Sequence, residues 1–104
     1  MLEQLYQEAL KRKESPQEGS YTNYLYDKGL DKILKKVAEE AGELVIAAKN
    51  ADKEEIANEA ADLLYHLAVT LVETGVSPAV IEQVLEERQG KKSRLKERPK
   101  VENY

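Results

Sequence analysis

Residues 31–75 read DKILKKVAEEAGELVIAAKNADKEEIANEAADLLYHLAVTLVETG, and the fold follows from how the apolar residues are spaced in them. In the first half Ile33, Leu34, Val37, Ala38, Ala41, Leu44, Val45 and Ala48 recur at helical intervals. In the second half Ile56, Ala57, Ala60, Ala61, Leu63, Leu64, Leu67, Ala68, Leu71 and Val72 do the same. Asp31 reads as the N-cap of a helix reaching about Asn50. Residues 50–52 break the pattern, and Asp52 with Glu55 has the spacing of a capping box. The second helix then runs to Thr74 and stops at Gly75. So short a break predicts an antiparallel pair.

Outward from this pair the periodicity stays helical. Leu2, Leu5, Tyr6, Ala9 and Leu10 predict a first helix that stops before Pro16 and Gly19. A short helix follows the ESPQEGS loop, with Ser20 or Thr22 as N-cap, Tyr21, Tyr24 and Leu25 as its sticky side, and Gly29 at the left-handed position after its end. Ser77 and Pro78 open a last helix, carried by Val80, Ile81, Val84 and Leu85, to Gly90. The expected architecture is an all-α helical bundle in one domain spanning residues 1–104, two long antiparallel helices with shorter helices flanking them. Ile46 projects roughly opposite the first stripe, and Tyr65 and Val69 fall outside the second. A second copy is the simplest cover for them, which predicts a homo-oligomer, in the first instance a dimer, with these residues near its interface.

The chain has 104 residues, 16 basic against 20 acidic side chains, and no cysteine. A disulfide framework, a thiolate metal site and a thiol nucleophile are thereby excluded. The longest apolar runs are far short of the ~20 residues a membrane span needs, and the N-terminus does not resemble a signal peptide. The expectation is a soluble, cytoplasmic protein with no membrane partner. Charge is uneven: residues 1–90 carry 10 basic and 18 acidic groups, whereas residues 91–104 carry 6 basic and 2 acidic. The acidic body argues against nucleic-acid binding. The basic tail reads either as a solvated end or as a phosphate contact.

Within the long pair lie two carboxylate groups: Glu39, Glu40 and Glu43 on the first helix, Glu59 and Asp62 with His66 on the second. On a helical wheel Glu40 and Glu43 are about 60° apart, and Glu59, Asp62 and His66 span a similar arc beside their own stripe. Antiparallel packing through the stripes lets both pairs converge. Converging carboxylates cannot all ionise cheaply, so either a pKa rises or a cation sits among them. All-oxygen ligands suit Mg²⁺, with Mn²⁺ as a substitute, and Mg²⁺ completes its shell with substrate phosphates. On pattern alone a metal site and a solvated acidic face stay equally open, and His66 alone fits a hydrogen-bonded core histidine better than a ligand. A di-iron bundle is disfavoured because Leu63 stands where it needs a glutamate.

The spacing Glu40-x-x-Glu43, fifteen residues, Glu59-x-x-Asp62 resembles the signature of the all-α nucleoside triphosphate pyrophosphohydrolases, the MazG-like superfamily. The stretches GSYTNYLYDKGLDKILKKVAEEAGELVIAAKN and EAADLLYHLAVTL resemble its phosphoribosyl-ATP pyrophosphohydrolase branch, from histidine biosynthesis. Ala38 replaces a common glycine, and RQGKKSR at residues 88–94 only approximates the branch's pattern. The resemblance implies Mg²⁺-dependent hydrolysis of phosphoribosyl-ATP to phosphoribosyl-AMP and pyrophosphate, with Glu40, Glu43, Glu59 and Asp62 holding the metal. It makes Glu39 a further ligand or the base that orients water. Candidate substrate contacts are Ser20, Tyr21, Thr22, Lys36, Lys49, Asn50 and His66. Two other readings are open: a house-cleaning pyrophosphohydrolase acting on dUTP, dCTP or a modified nucleotide, and a non-catalytic helical interaction module.

Overall fold

The computed structural model describes the backbone of residues 1–95 and the side chains of residues 1–90. Five helices appear among the described residues: α1 (Leu2–Glu14), α2 (Tyr21–Lys28), α3 (Leu30–Lys49), α4 (Lys53–Thr74) and α5 (Pro78–Leu95). The all-α expectation holds. The helix pair α3 and α4 shares the most extensive packing, α1 lies against α4, and α2 bridges α1 and α3.

The turn between α3 and α4 is a Schellman motif. Ala51 takes a left-handed φ of 55°, its N–H reaches the Ala48 carbonyl, and the Asp52 N–H reaches the Ala47 carbonyl, each at 3.1 Å. Asp52 then caps α4 by accepting the Glu55 N–H at 3.2 Å. One residue thus ends one helix and starts the next. Because its own N–H is spent on Ala47, only half of the expected capping box forms. At the other end of α4, Gly75 is left-handed, with φ 76° and ψ 24°, and its N–H returns to Leu71 and Val72.

Asp31 is not an N-cap. It lies in the first turn of α3, and Gly29 stands at the cap with φ 95° and ψ 178°, a conformation essentially reserved for glycine. Gly29 also receives the end of α2, its N–H on the Leu25 carbonyl, so the two helices meet at one residue. The α5 helix passes Gly90, its expected end, and continues to Leu95.

The core joins Ala9 of α1, Leu25 of α2, Ile33 of α3 and Val69 and Val72 of α4, with Tyr6, Leu10, Tyr26 and Tyr65 packed against it. Val69 is 0 % exposed, which corrects its expected place at an oligomer interface, and Tyr65 is half-buried against the same core. The reason is that α1 of the same chain packs on α4, with Ala9 and Val69 in one core cluster. Ile46, by contrast, is 62 % exposed. Tyr26 donates its hydroxyl to the Ala9 carbonyl at 2.7 Å, and the Asn23 side chain bonds both Arg12 and Gln17, fastening the connecting loop.

The helix α5 turns 110° away from α4. Its Val80, Val84 and Leu85 are exposed, as are Leu34 and Val45 of the α3 stripe. The radius of gyration of 16.9 Å exceeds the roughly 13 Å of a compact chain of about this length, as expected if these faces are not closed over within the chain. Among the described residues, no single helix is long and apolar enough to cross a membrane.

Candidate metal and substrate site

The inner face of α3 explains the placement of the acidic residues. Ile33, Glu40 and Ala47 are its buried positions, seven residues apart, so Glu40 sits in the middle of the seam with α4 and is only 6 % exposed. A buried carboxylate must be compensated. Lys36, one turn earlier, supplies part of this with its Nζ 3.4 Å from Glu40 and 3.5 Å from Glu39.

Glu59 of α4 faces the same seam. Carboxylate oxygens of Glu40, Glu43 and Glu59 all lie within 4.8 Å of one another. The three groups cannot all be charged without cost, and the burden falls on one. Hydrogen bonding to Glu43 and then Glu40, with desolvation behind them, pushes Glu59 up to about 8. Desolvation also pushes Glu40 upward, but hydrogen bonds with Glu59 and Lys36 and the Lys36 charge outweigh it and hold Glu40 below the usual carboxylate value. Lys36 is desolvated too, yet its bond to Glu40 and the surrounding negative charge keep it above its ordinary value. One Glu59 oxygen, Oε2, is buried with no hydrogen-bond partner. An orphaned oxygen facing two more carboxylates is a donor set suited to a hard divalent cation.

The remaining sequence candidates divide. Asp62, one turn beyond Glu59, is exposed, and its carboxylate is outside the three-residue cluster. Glu39 is paired with Lys36 and likewise outside it. Ser20 accepts the Asn23 N–H at 3.3 Å, so it caps α2. Thr22 is 6 % exposed and lines a small groove with Ala9, Arg12 and Tyr65. Tyr21 and His66 bond each other at 2.8 Å. Lys49 and Asn50 are exposed at the end of α3.

A groove of about 400 Å³ opens directly beside the carboxylates, lined by Glu43, Ile46, Ala47, Asn50, Asp52, Glu55 and Glu59. A larger hollow of about 740 Å³ lies along the loop before α2 and includes Ser20 and Tyr21. The smaller one shares Glu43 and Glu59 with the cluster, and we take it as the site for that reason. Ile46, Asp52 and Glu55 join the groove without being among the sequence candidates for the site. Glu55 was recoverable, because it precedes Glu59 by one turn.

An antiparallel helical pair with carboxylates converging from both members is the class of the all-α nucleoside triphosphate pyrophosphohydrolases. The chain matches the phosphoribosyl-ATP pyrophosphohydrolase family over residues 2–89, and it belongs to that family. Among its relatives, a protein of Streptococcus sanguinis named phosphoribosyl-ATP pyrophosphatase is 74% identical over 104 residues, 100% of both chains. One of Streptococcus gordonii with the same name is 72% identical over the same span. A third, from Listeria welshimeri, is 55% identical over 102 residues, 98% of each chain.

Proposed function

We propose that this chain hydrolyses phosphoribosyl-ATP to phosphoribosyl-AMP and pyrophosphate, the second step of histidine biosynthesis, in the cytoplasm. The supporting observation is the Glu40, Glu43 and Glu59 cluster, with its orphaned Glu59 oxygen, in a chain of this family. These three side chains hold Mg²⁺, which Mn²⁺ replaces, and Asp62 completes the set from α4. When bound, the cation neutralises the triphosphate and polarises the phosphoryl centre.

The chain's own groups do the rest. Glu39 orients the attacking water and takes its proton. Water adds at phosphorus, the bond between the α and β phosphates breaks, and pyrophosphate leaves with the electron pair. Lys36, already beside Glu39 and Glu40, exchanges part of that pairing for phosphate charge. Asn50, which lines the groove, and Lys49 beside it at the end of α3 contact phosphate or ribose.

The exposed apolar side chains Leu34, Val45 and Ile46 of α3 and Val80, Val84 and Leu85 of α5 are covered in a homodimer. Light scattering at micromolar concentration is expected to give twice the chain mass, and a monomer would remove this part of the reading. The phosphate role considered for the tail at residues 91–104 lies outside the described side chains.

The activity is tested with a substrate panel in Mg²⁺. Pyrophosphate release from phosphoribosyl-ATP, with dUTP and dCTP turned over far more slowly, is expected. Preference for dUTP or dCTP would make the protein a house-cleaning enzyme. No release from any of them would leave an interaction module.

A further inference from the structure

The chain has one histidine, and the mechanism above does not use it. His66 is 5 % exposed, and both ring nitrogens are engaged. Nδ1 is 2.7 Å from the Asp62 backbone carbonyl. A carbonyl only accepts, so Nδ1 carries a hydrogen. In the neutral ring this leaves Nε2 as an acceptor, and the Tyr21 hydroxyl, 2.8 Å away, donates to it. A ring with both nitrogens spent on protein has none left for a metal or a substrate.

Tyr21 is the other half of the argument. Its side chain is 45 % exposed, so burial alone does not hold it. The ring meets His66 edge-on, with centroids 5.7 Å apart at 83°, and stacks on Tyr24 at 6.0 Å. The hydroxyl bond spans 45 positions of sequence and joins the first residue of α2 to the middle of α4. His66 bonds the backbone of Asp62 one turn earlier on α4, and Asp62 is itself one turn from Glu59, so the joint stands two turns along α4 from the carboxylate cluster.

We propose that His66 and Tyr21 are a positioning pair: the Asp62 carbonyl fixes the His66 ring as an acceptor, and the ring holds Tyr21 and the start of α2 beside the carboxylate cluster, where they border the bound substrate. The pair acts on substrate binding rather than on metal binding or the chemical step. This rests on the activity proposed above, and the test separates the two.

The test uses full-length protein with ¹⁵N-labelled histidine, whose single ring makes the spectrum unambiguous, and the variants Tyr21→Phe, His66→Gln, His66→Leu and Tyr21→Phe/His66→Leu. The wild-type ring is expected as the Nδ1–H tautomer, and Tyr21→Phe is expected to shift Nε2 while Nδ1 keeps its hydrogen. In phosphoribosyl-ATP hydrolysis, Tyr21→Phe and His66→Leu each raise KM about three- to tenfold with little change in kcat, the size of one lost hydrogen bond. The double variant is no worse than either single one. His66→Gln, which returns an acceptor near the Nε2 position, recovers part of the loss and covers the case in which His66→Leu does not fold. Mn²⁺ affinity stays at the wild-type value throughout.

An Nε2–H tautomer, additive losses in the double variant, or weakened Mn²⁺ binding would each overturn the pair. If wild type leaves phosphoribosyl-ATP untouched, the activity proposal fails, and the tautomer with its response to Tyr21→Phe still decides whether the joint exists.

Discussion

The two halves of α4 do opposite work. From Lys53 to Asp62 the helix buries no residue and carries Glu54, Glu55, Glu59 and Asp62, whereas from Leu63 to Thr74 it buries His66, Ala68, Val69, Leu71 and Val72. The second half is gripped on two sides, by α3 and by α1. The first half has like charges facing each other across the seam, which in the metal-free protein is an unfavourable arrangement. Buried packing is therefore concentrated at one end of the hairpin and the proposed chemistry at the other. His66 stands at the boundary.

The largest effect should come from breaking the gripped half. Val69→Asp places a charge where the side chain is 0 % exposed, at a cost of more than about 3 kcal/mol against a total stability of about 5–15 kcal/mol. Loss of the cooperative melt by circular dichroism is expected. In the acidic half the same style of change has the reverse signature: Glu40→Gln and Asp62→Asn should lower turnover about 100-fold or more while leaving the fold intact. Thermal melts beside initial rates check both halves of that contrast.

Gly29→Ala tests the joint that seats α2. No neighbour lies within 4 Å of an added Cβ, so its cost is conformational, about 1–3 kcal/mol. A melting temperature unchanged from wild type would remove the argument. The pH response belongs to Glu59. Its carboxyl is raised in the folded state from 4.5 to about 8, so between these values the folded form holds a proton that the unfolded form has released. Metal-free stability accordingly falls as pH rises from 4.5 to about 8. Calorimetry across that window, with and without Mg²⁺, should show the decline only without the metal. Smallest is Ala51→Gly, which relieves a left-handed alanine and should stabilise the hairpin by up to about 1 kcal/mol.

The same contrast explains what could be read from the residues beforehand. Signals within one helix were legible: the Asp52 cap, the stop at Gly75, and the shared face of Glu40 and Glu43 on α3. Which neighbour covers a helix face is not a property of that helix. Val69 and Tyr65 were expected to meet a second copy because nothing in their periodicity says that α1 folds back over them. The turn at Ala51 lacked a glycine to announce its left-handed backbone, and Gly29 closes one helix while opening another, so Asp31 looked like the nearer cap. Tyr21 and His66 each carried a recognisable signal, but their bond exists only once α2 is laid beside α4.

The central claim is that the acidic half of the hairpin is a cation site that turns over phosphoribosyl-ATP. It is tested most directly by titrating Mg²⁺ into a pyrophosphate-release assay of the wild type and Glu59→Gln side by side. The account predicts release that rises with Mg²⁺, matched mole for mole by phosphoribosyl-AMP, and lost in Glu59→Gln although that variant melts no lower than the metal-free wild type. Release that survives both chelation and Glu59→Gln would contradict it.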